Sequence, residues 1–172
     1  MNADLIERER WPSQIGRHSY RAGRLAAERR EALVAARVSF VTETVFSHPS
    51  KLELIDRARG AGFVVVLYHV HVSTPELAAA RVRTRVSEGG HDVPFETIAA
   101  RYPRTLAMMK KAVRLADRAY VFDNSRLGRG FTHVLTFEAG RVQRLGSRVP
   151  VWVKQTYAEA LRAYLTARAG PR

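Results

Sequence analysis

The longest continuous apolar stretch of the chain is FVVVLYHV at 63–70, and its β-branched content predicts a strand covered on both faces, as in a parallel sheet. VSFVT at 38–42 reads as a shorter buried strand, and AYVFDNS at 119–125 as a strand ending in turn residues. THVLTFEAGRVQRL at 132–145 alternates apolar and polar positions around Ala139 and Gly140, which predicts an antiparallel hairpin. The segments between have helical spacing. One helix is expected from Ser13 to about Arg37, with Ile15, Leu25, Leu33 and Val34 as its apolar positions. A second opens at Pro49 and Ser50 and stops at the glycines of 60–62. STPE at 73–76 places a Ser three residues before a Glu and a Pro early in the helix, so a third begins there and runs through Arg85, with Gly89 and Gly90 ending it. A fourth runs from about Pro94 to Ala116, kinked or split by Pro103, and a last one from about 153 to 168.

Strands alternating with helices imply an α/β protein with a parallel sheet between helical layers. No internal repeat, linker or composition break divides the chain, so residues 1–172 read as one domain. In such sheets ligands sit beyond the carboxyl ends of the strands. Glu43 and Thr44 follow the first strand, Ser73 and Thr74 the second, and Asp123, Asn124 and Ser125 the third, and these three ends are expected to converge on one crevice. Arg81 and Arg85, four apart, share a helix face, while Arg83 points elsewhere.

Composition narrows the chemistry. With no cysteine there is no disulfide, thiolate metal site or cysteine nucleophile. The charged start MNADLIERER is unlike a secretory signal, and no apolar run is long enough to span a bilayer, so the protein reads as soluble and cytoplasmic. The net charge of +13 predicts attraction to polyanions, and only four of the 29 basic residues are lysine (51, 110, 111 and 154). The arginine excess is either a coding bias or a supply of planar forks for phosphate oxygens. His69 and His71, two apart on a strand, face the same way; lacking a third ligand they read as core or interface histidines rather than a metal pair.

The segments NAD (2–4), SFVTET (39–44), RVRTRVSEGGHDVP (81–94), RYPRTL (101–106), ADRAYVFDNS (116–125) and VPVW (149–152) occur in one order along most of the chain. In that order they resemble the zeta-toxin-like kinases, P-loop proteins that phosphorylate a UDP-amino sugar in the best described members. The resemblance implies a three-layer P-loop kinase-like sheet and ATP-dependent transfer of the γ-phosphate to a hydroxyl of a sugar nucleotide such as UDP-N-acetylglucosamine. It implies ATP and Mg²⁺ as cofactors and an antitoxin protein as a further partner. By motif, Asp4 matches the general base, and Arg85 and Arg101 the lid arginines that balance charge in the transition state, with Arg81 and Arg104 as neighbours. Gly89 and Gly90 match a hinge, and His91 either orders the lid through a hydrogen bond or occupies a turn. Glu43 and Thr44 match a substrate-orienting pair, and Asn124 a position near the nucleotide base.

One departure qualifies this picture. These 172 residues contain no G-x-x-x-x-G-K-[ST], so they hold no phosphate cradle, lysine or Mg²⁺-binding hydroxyl of that kind. The resembling proteins place a first strand, the phosphate loop, a helix and a second strand ahead of the position of Asp4, the first strand lying between the equivalents of 38–42 and 63–70. The expectation is a chain truncated at its amino end, through a misassigned start or an upstream fragment, with a degenerate non-catalytic relative as a further alternative. Without that strand, 38–42 and 63–70 are expected to expose apolar edges. Asp4 in such a chain is equally readable as a helix N-cap. A non-catalytic basic nucleic-acid-binding protein is the alternative of a different class, and it predicts salt-steep binding to DNA or RNA.

Overall fold

The structure, a computed structural model, describes residues 1–88, 90–126, 128 and 130–169. Two N-terminal helices pack on each other ahead of the sheet-forming part of the chain. In α1 (Ala3–Arg10), Asn2 is the N-cap and its side chain accepts from the Asp4 N–H, with Asp4 in the first turn and Arg8 and Arg10 in the last, each sign matching the helix dipole. After a 3₁₀ turn at Pro12–Gln14 comes α2 (Ser19–Ala35), which buries Ala22, Ala26, Arg30 and Val34 along one i, i+4 stripe. No side chain of its own N-cap closes α2. Glu7 of α1, almost fully buried, accepts instead from the backbone N–H groups of Gly16 (3.1 Å) and His18 (2.7 Å), locking the two helices together. The single helix expected from Ser13 thus begins six residues later, because Pro12 and the positive φ of Gly16 (88°) turn the chain first.

In α3 (Ser50–Gly60), Ile55 and Ala58 are buried; the helix stops as expected at Gly62, whose φ of 88° lets the Phe63 N–H reach back to the Ala58 carbonyl. Strand β1 (Val66–His71) leads into α4 (Pro75–Ser87), and α5 (Phe95–Leu115) into β2 (Arg118–Asp123). The hairpin β3 (Thr132–Glu138) and β4 (Arg141–Leu145) precedes α6 (Val151–Thr156) and α7 (Ala158–Ala169). The sheet order is β1-β2-β3-β4. The pairing of β1 with β2 is parallel, and the two remaining pairs are antiparallel. The core lies on one face, where Val121, Leu135 and Phe137 meet Val113 of α5, Trp152 and Val153 of α6, and Tyr157 and Leu161. On the other face of β1, Val66, Tyr68 and Val70 are exposed.

Several sequence expectations are corrected. Residues 38–42 form no strand. Their only extended-chain partner among the described residues is Met1, whose terminal amine donates to the Val41 carbonyl and whose own carbonyl accepts from the Glu43 N–H (2.9 Å). One residue cannot make a ladder, and Val41 stays 85% exposed. The expectation of a parallel sheet holds for one strand pair, because only β1 and β2 are joined by a helical crossover. Strand β1 begins at Val66 rather than Phe63, since the Val65 N–H is taken by the Asp117 carboxylate (2.8 Å). Thr74, not Ser73, caps α4 through the Leu77 N–H. Pro103 does not split α5, which runs unbroken past it. Beside it the Tyr102 hydroxyl donates to the Val72 carbonyl (2.8 Å), an anchor that helps offset the roughly 3 kcal/mol local cost of the ring. The last helix is two, separated at Tyr157.

Candidate active site at the strand ends

Two small constellations form from the residues singled out by sequence. The first gathers the start of the chain, the loop after 38–42 and the segment after α4. Asn2 joins them: its side-chain oxygen receives the Asp4 N–H (2.8 Å), and its amide nitrogen donates to Glu43 Oε2 (2.8 Å). Asp4 Oδ1 lies 3.7 Å from His91 Nδ1, beyond hydrogen-bond distance, and the Asp4 side chain remains 41% exposed, so its carboxylate has a neighbour and is open to solvent. His91 Cβ also packs near Gly16 at the α1–α2 turn. Asp4 is not the N-cap of α1, since Asn2 has that place.

The second constellation is the loop after β2. The Asn124 N–H donates to the His71 carbonyl (2.7 Å), which ties the ends of β1 and β2 together as expected. Asp123 Oδ1 accepts from the Trp152 indole (2.9 Å) and from the Ser125 hydroxyl (2.5 Å). Arg81 of α4 donates through Nη2 to the carbonyls of Asn124 (2.6 Å) and Arg126 (3.3 Å).

Beneath the loop lies a buried aromatic and imidazole stack. His69 accepts or donates at Nδ1 with the Tyr157 hydroxyl (2.8 Å), and His71 packs on Tyr102 and Trp152 at centroid distances of 4.7 and 5.0 Å. Burial first, and the neighbouring His71 second, push His69 down to about 3; burial pushes His71 down to about 4 against the pull of Asp123. Burial, aided by Glu76 and Asp123, pushes the Tyr102 phenol up to about 12. All three rings are therefore neutral at pH 7; His69 is buried, and His71 is partly buried against Tyr102 and Trp152.

The remaining sequence candidates stand apart. Thr44, Arg85, Arg101 and Arg104 are exposed, and among the described residues none bonds to the Asp4–Glu43–His91 group. Arg104 donates to the Ala100 carbonyl of its own helix. Gly90 donates its N–H to the Arg85 carbonyl (2.9 Å), and a Cβ there would press on Arg85 at 2.9 Å, so it closes α4 tightly. Gly89 lies outside the described residues. Two hollows of about 640 and 410 Å³ lie along α1 and α2, the smaller one beside Met1, Asn2, Phe40 and Val41. Sequence reasoning assigned no role to Asn2 or Trp152; the Asn directly before a helical run is the signal that marks Asn2 as a cap.

A mixed α/β sheet with a parallel strand pair, flanked by helices, is consistent with a P-loop kinase-like fold. The chain belongs to the zeta toxin family: the family model described as Zeta toxin matches residues 7–128, from Glu7 in α1 to the loop after β2. That range holds Glu43, Arg81, Arg85, His91, Arg101 and Asn124, and leaves Asp4 just ahead of it. Kinase-type phosphoryl transfer and association with antitoxins are properties of that family. Searches of curated proteins and of solved structures found no match.

Proposed function

We propose that this chain carries the catalytic core of an ATP-dependent small-molecule kinase of the zeta-toxin type, acting on a hydroxyl of a sugar nucleotide such as UDP-N-acetylglucosamine. The carrying observation is the contact between Asp4 and His91, which sets a solvent-open carboxylate against the segment that follows the arginine helix. In this reading Asp4 accepts the proton of the acceptor hydroxyl while that oxygen bonds to the γ-phosphorus. The bond from the γ-phosphorus to the bridging oxygen breaks, and ADP leaves with the electron pair. Glu43, already aligned by Asn2, and Thr44 orient the acceptor. Arg85 and Arg101, free of carboxylate partners among the described residues, and Arg104 swing over the phosphates and balance the charge spread across their oxygens. Asn124 borders the nucleotide base.

The residues present fit the acceptor side of such a site better than its phosphate cradle. Among the described residues no cluster of three His, Cys, Asp or Glu could hold a metal, and the 172 residues carry no G-x-x-x-x-G-K-[ST]. When bound, Mg²⁺ would neutralise phosphate charge, and in this reading it arrives with a cradle supplied by a further polypeptide segment. The genomic DNA ahead of codon 1, read in frame, is expected to encode that motif. With the segment present, label from γ-labelled ATP is expected to reach the sugar nucleotide. Asp4→Asn should lower that transfer by about two orders of magnitude or more while leaving nucleotide affinity within about twofold. Absence of saturable ATP binding by the completed protein sinks the proposal.

A further inference from the structure

The sequence sets Arg81 beside the lid candidates Arg85, Arg101 and Arg104, but the geometry of Arg81 separates it from them. Arg85, Arg101 and Arg104 are exposed, whereas Arg81 is half-buried and its Nη2 is committed to two carbonyl oxygens of the β2–β3 loop. Its Nε is buried with no hydrogen-bond partner, an unmade bond that is tolerated only where the bonds that are made outweigh it. Among the described residues no carboxylate lies within ion-pair distance of it. A guanidinium bonded to neutral carbonyls in this way holds backbone in position rather than answering a charge on a side chain.

The loop it holds is gripped from three directions. The Asn124 N–H is fixed on β1 through the His71 carbonyl, the Asp123 carboxylate is fixed on α6 through Trp152, and the Asn124 and Arg126 carbonyls are fixed on α4 through Arg81. Of these three, only the Arg81 contact reaches the helix that carries Arg85. The Gly90 N–H is bonded to the Arg85 carbonyl one turn beyond Arg81, and His91 follows against Asp4.

We infer that Arg81 is a positioning residue that pins the first half of α4 to the Asp123–Arg126 loop and so couples that loop to the Gly90–Pro94 segment facing Asp4. In consequence Arg81 is committed to backbone carbonyls and does not itself clamp phosphate. This inference rests on the kinase reading only for its catalytic meaning; the tether is a property of the 172-residue chain and is tested on it directly.

The measurement is hydrogen exchange followed by mass spectrometry on the wild-type chain and on Arg81→Met, Arg81→Lys and Arg85→Met. Arg81→Met is expected to speed exchange about tenfold or more at the Asn124 amide, and to speed it also at Glu88 and Gly90, while β3 and β4 keep their wild-type rates. Arg81→Lys, which keeps a donor cation on a shorter side chain, should give an intermediate rate. Arg85→Met should leave Asn124 unchanged. If Asn124 exchange in Arg81→Met stays within about twofold of wild type, there is no tether. If Arg81→Met and Arg81→Lys both speed β3 and β4 as much as the loop, Arg81 serves global stability and the coupling is refuted. A fluorescent ATP analogue, titrated into the protein completed with its phosphate-loop segment, separates the two ideas. Failure to bind there removes the kinase reading and leaves the exchange result to judge Arg81.

Discussion

Ala139 occupies the left-handed region, with φ of 45°, and is followed by Gly140 at 75°. Both central residues of the two-residue β3–β4 connection therefore need positive φ, the pattern of a type I′ turn, and only the second has a residue suited to it. A Cβ at Gly140 would also come within 3.2 Å of the Arg114 backbone, so glycine is required there twice over. Alanine in this region costs on the order of 1 kcal/mol, and asparagine enters it more readily because its short amide can bond locally. Ala139→Asn should accordingly stabilise the fold by about 0.5–1 kcal/mol, seen as a higher urea midpoint with an unchanged slope. An unchanged or lower midpoint would mean that the turn is not under the strain its dihedral angles indicate. A different balance holds at Trp152, whose indole donates to the Asp123 side chain. Trp152→Phe keeps most of the apolar volume and removes that donor, so a loss of roughly 1.5–3 kcal/mol is expected by the same urea assay.

The elements that sequence patterning located best are those whose partners lie nearby in the chain. The hairpin turn, the glycine stop after α3 and the start of α4 each follow from a few adjacent residues, and each appears within a residue or two of its expected place. Residues 38–42 show the limit of that reasoning. Their apolar, β-branched sequence is suited to a sheet, but a strand exists only with a neighbour to bond, and there the ladder is a single residue long. At the site the same distinction applies. The motif positions were legible, whereas the partners that hold them, Asn2 for Glu43 and the Asn124 carbonyl for Arg81, depend on contacts 41 and 43 residues apart. Strand β1 carries a further consequence. It is the sheet edge on one side, as expected of 63–70 without a strand beside it, but Val66, Tyr68 and Val70 are exposed on its open face, which corrects the expectation of a strand covered on both faces. Such an edge invites pairing with another copy. Val66→Glu sets a carboxylate beside Arg118, its register partner on β2, and blunts the edge with charge. Sedimentation velocity is expected to show self-association of the wild-type chain that Val66→Glu diminishes. Identical profiles for the two would show that β1 is not the sticky edge.

For the molecule as a whole, charge and burial act on stability through different ranges of condition. The net charge of +13 makes copies of the chain repel, so raising salt from about 0.05 to about 0.5 M should promote association through β1 by screening that repulsion. Acidification works on the folded state itself. His69 and His71 are held at about 3 and about 4 by the core, against about 6.5 in an unfolded chain. Below pH 6.5 the unfolded chain takes up a proton at each ring while the folded chain does not. The unfolded state then binds more protons, so stability falls as pH falls, and it continues to fall until the folded pKa values are reached. With two such groups the fall is steepest at about pH 5, where the unfolded chain has taken up both protons and the folded chain neither. The upper part of that window lies above the ordinary range of carboxylate titration, so urea midpoints at pH 7.5 and pH 5.5 isolate the imidazoles. His71→Gln, which keeps a polar side chain but cannot take up the proton, should remove about half of the drop between those two values. If the wild-type midpoint is the same at pH 7.5 and 5.5, the two rings are already in contact with water, and the stack that supports the Asp123–Ser125 loop is looser than its geometry implies.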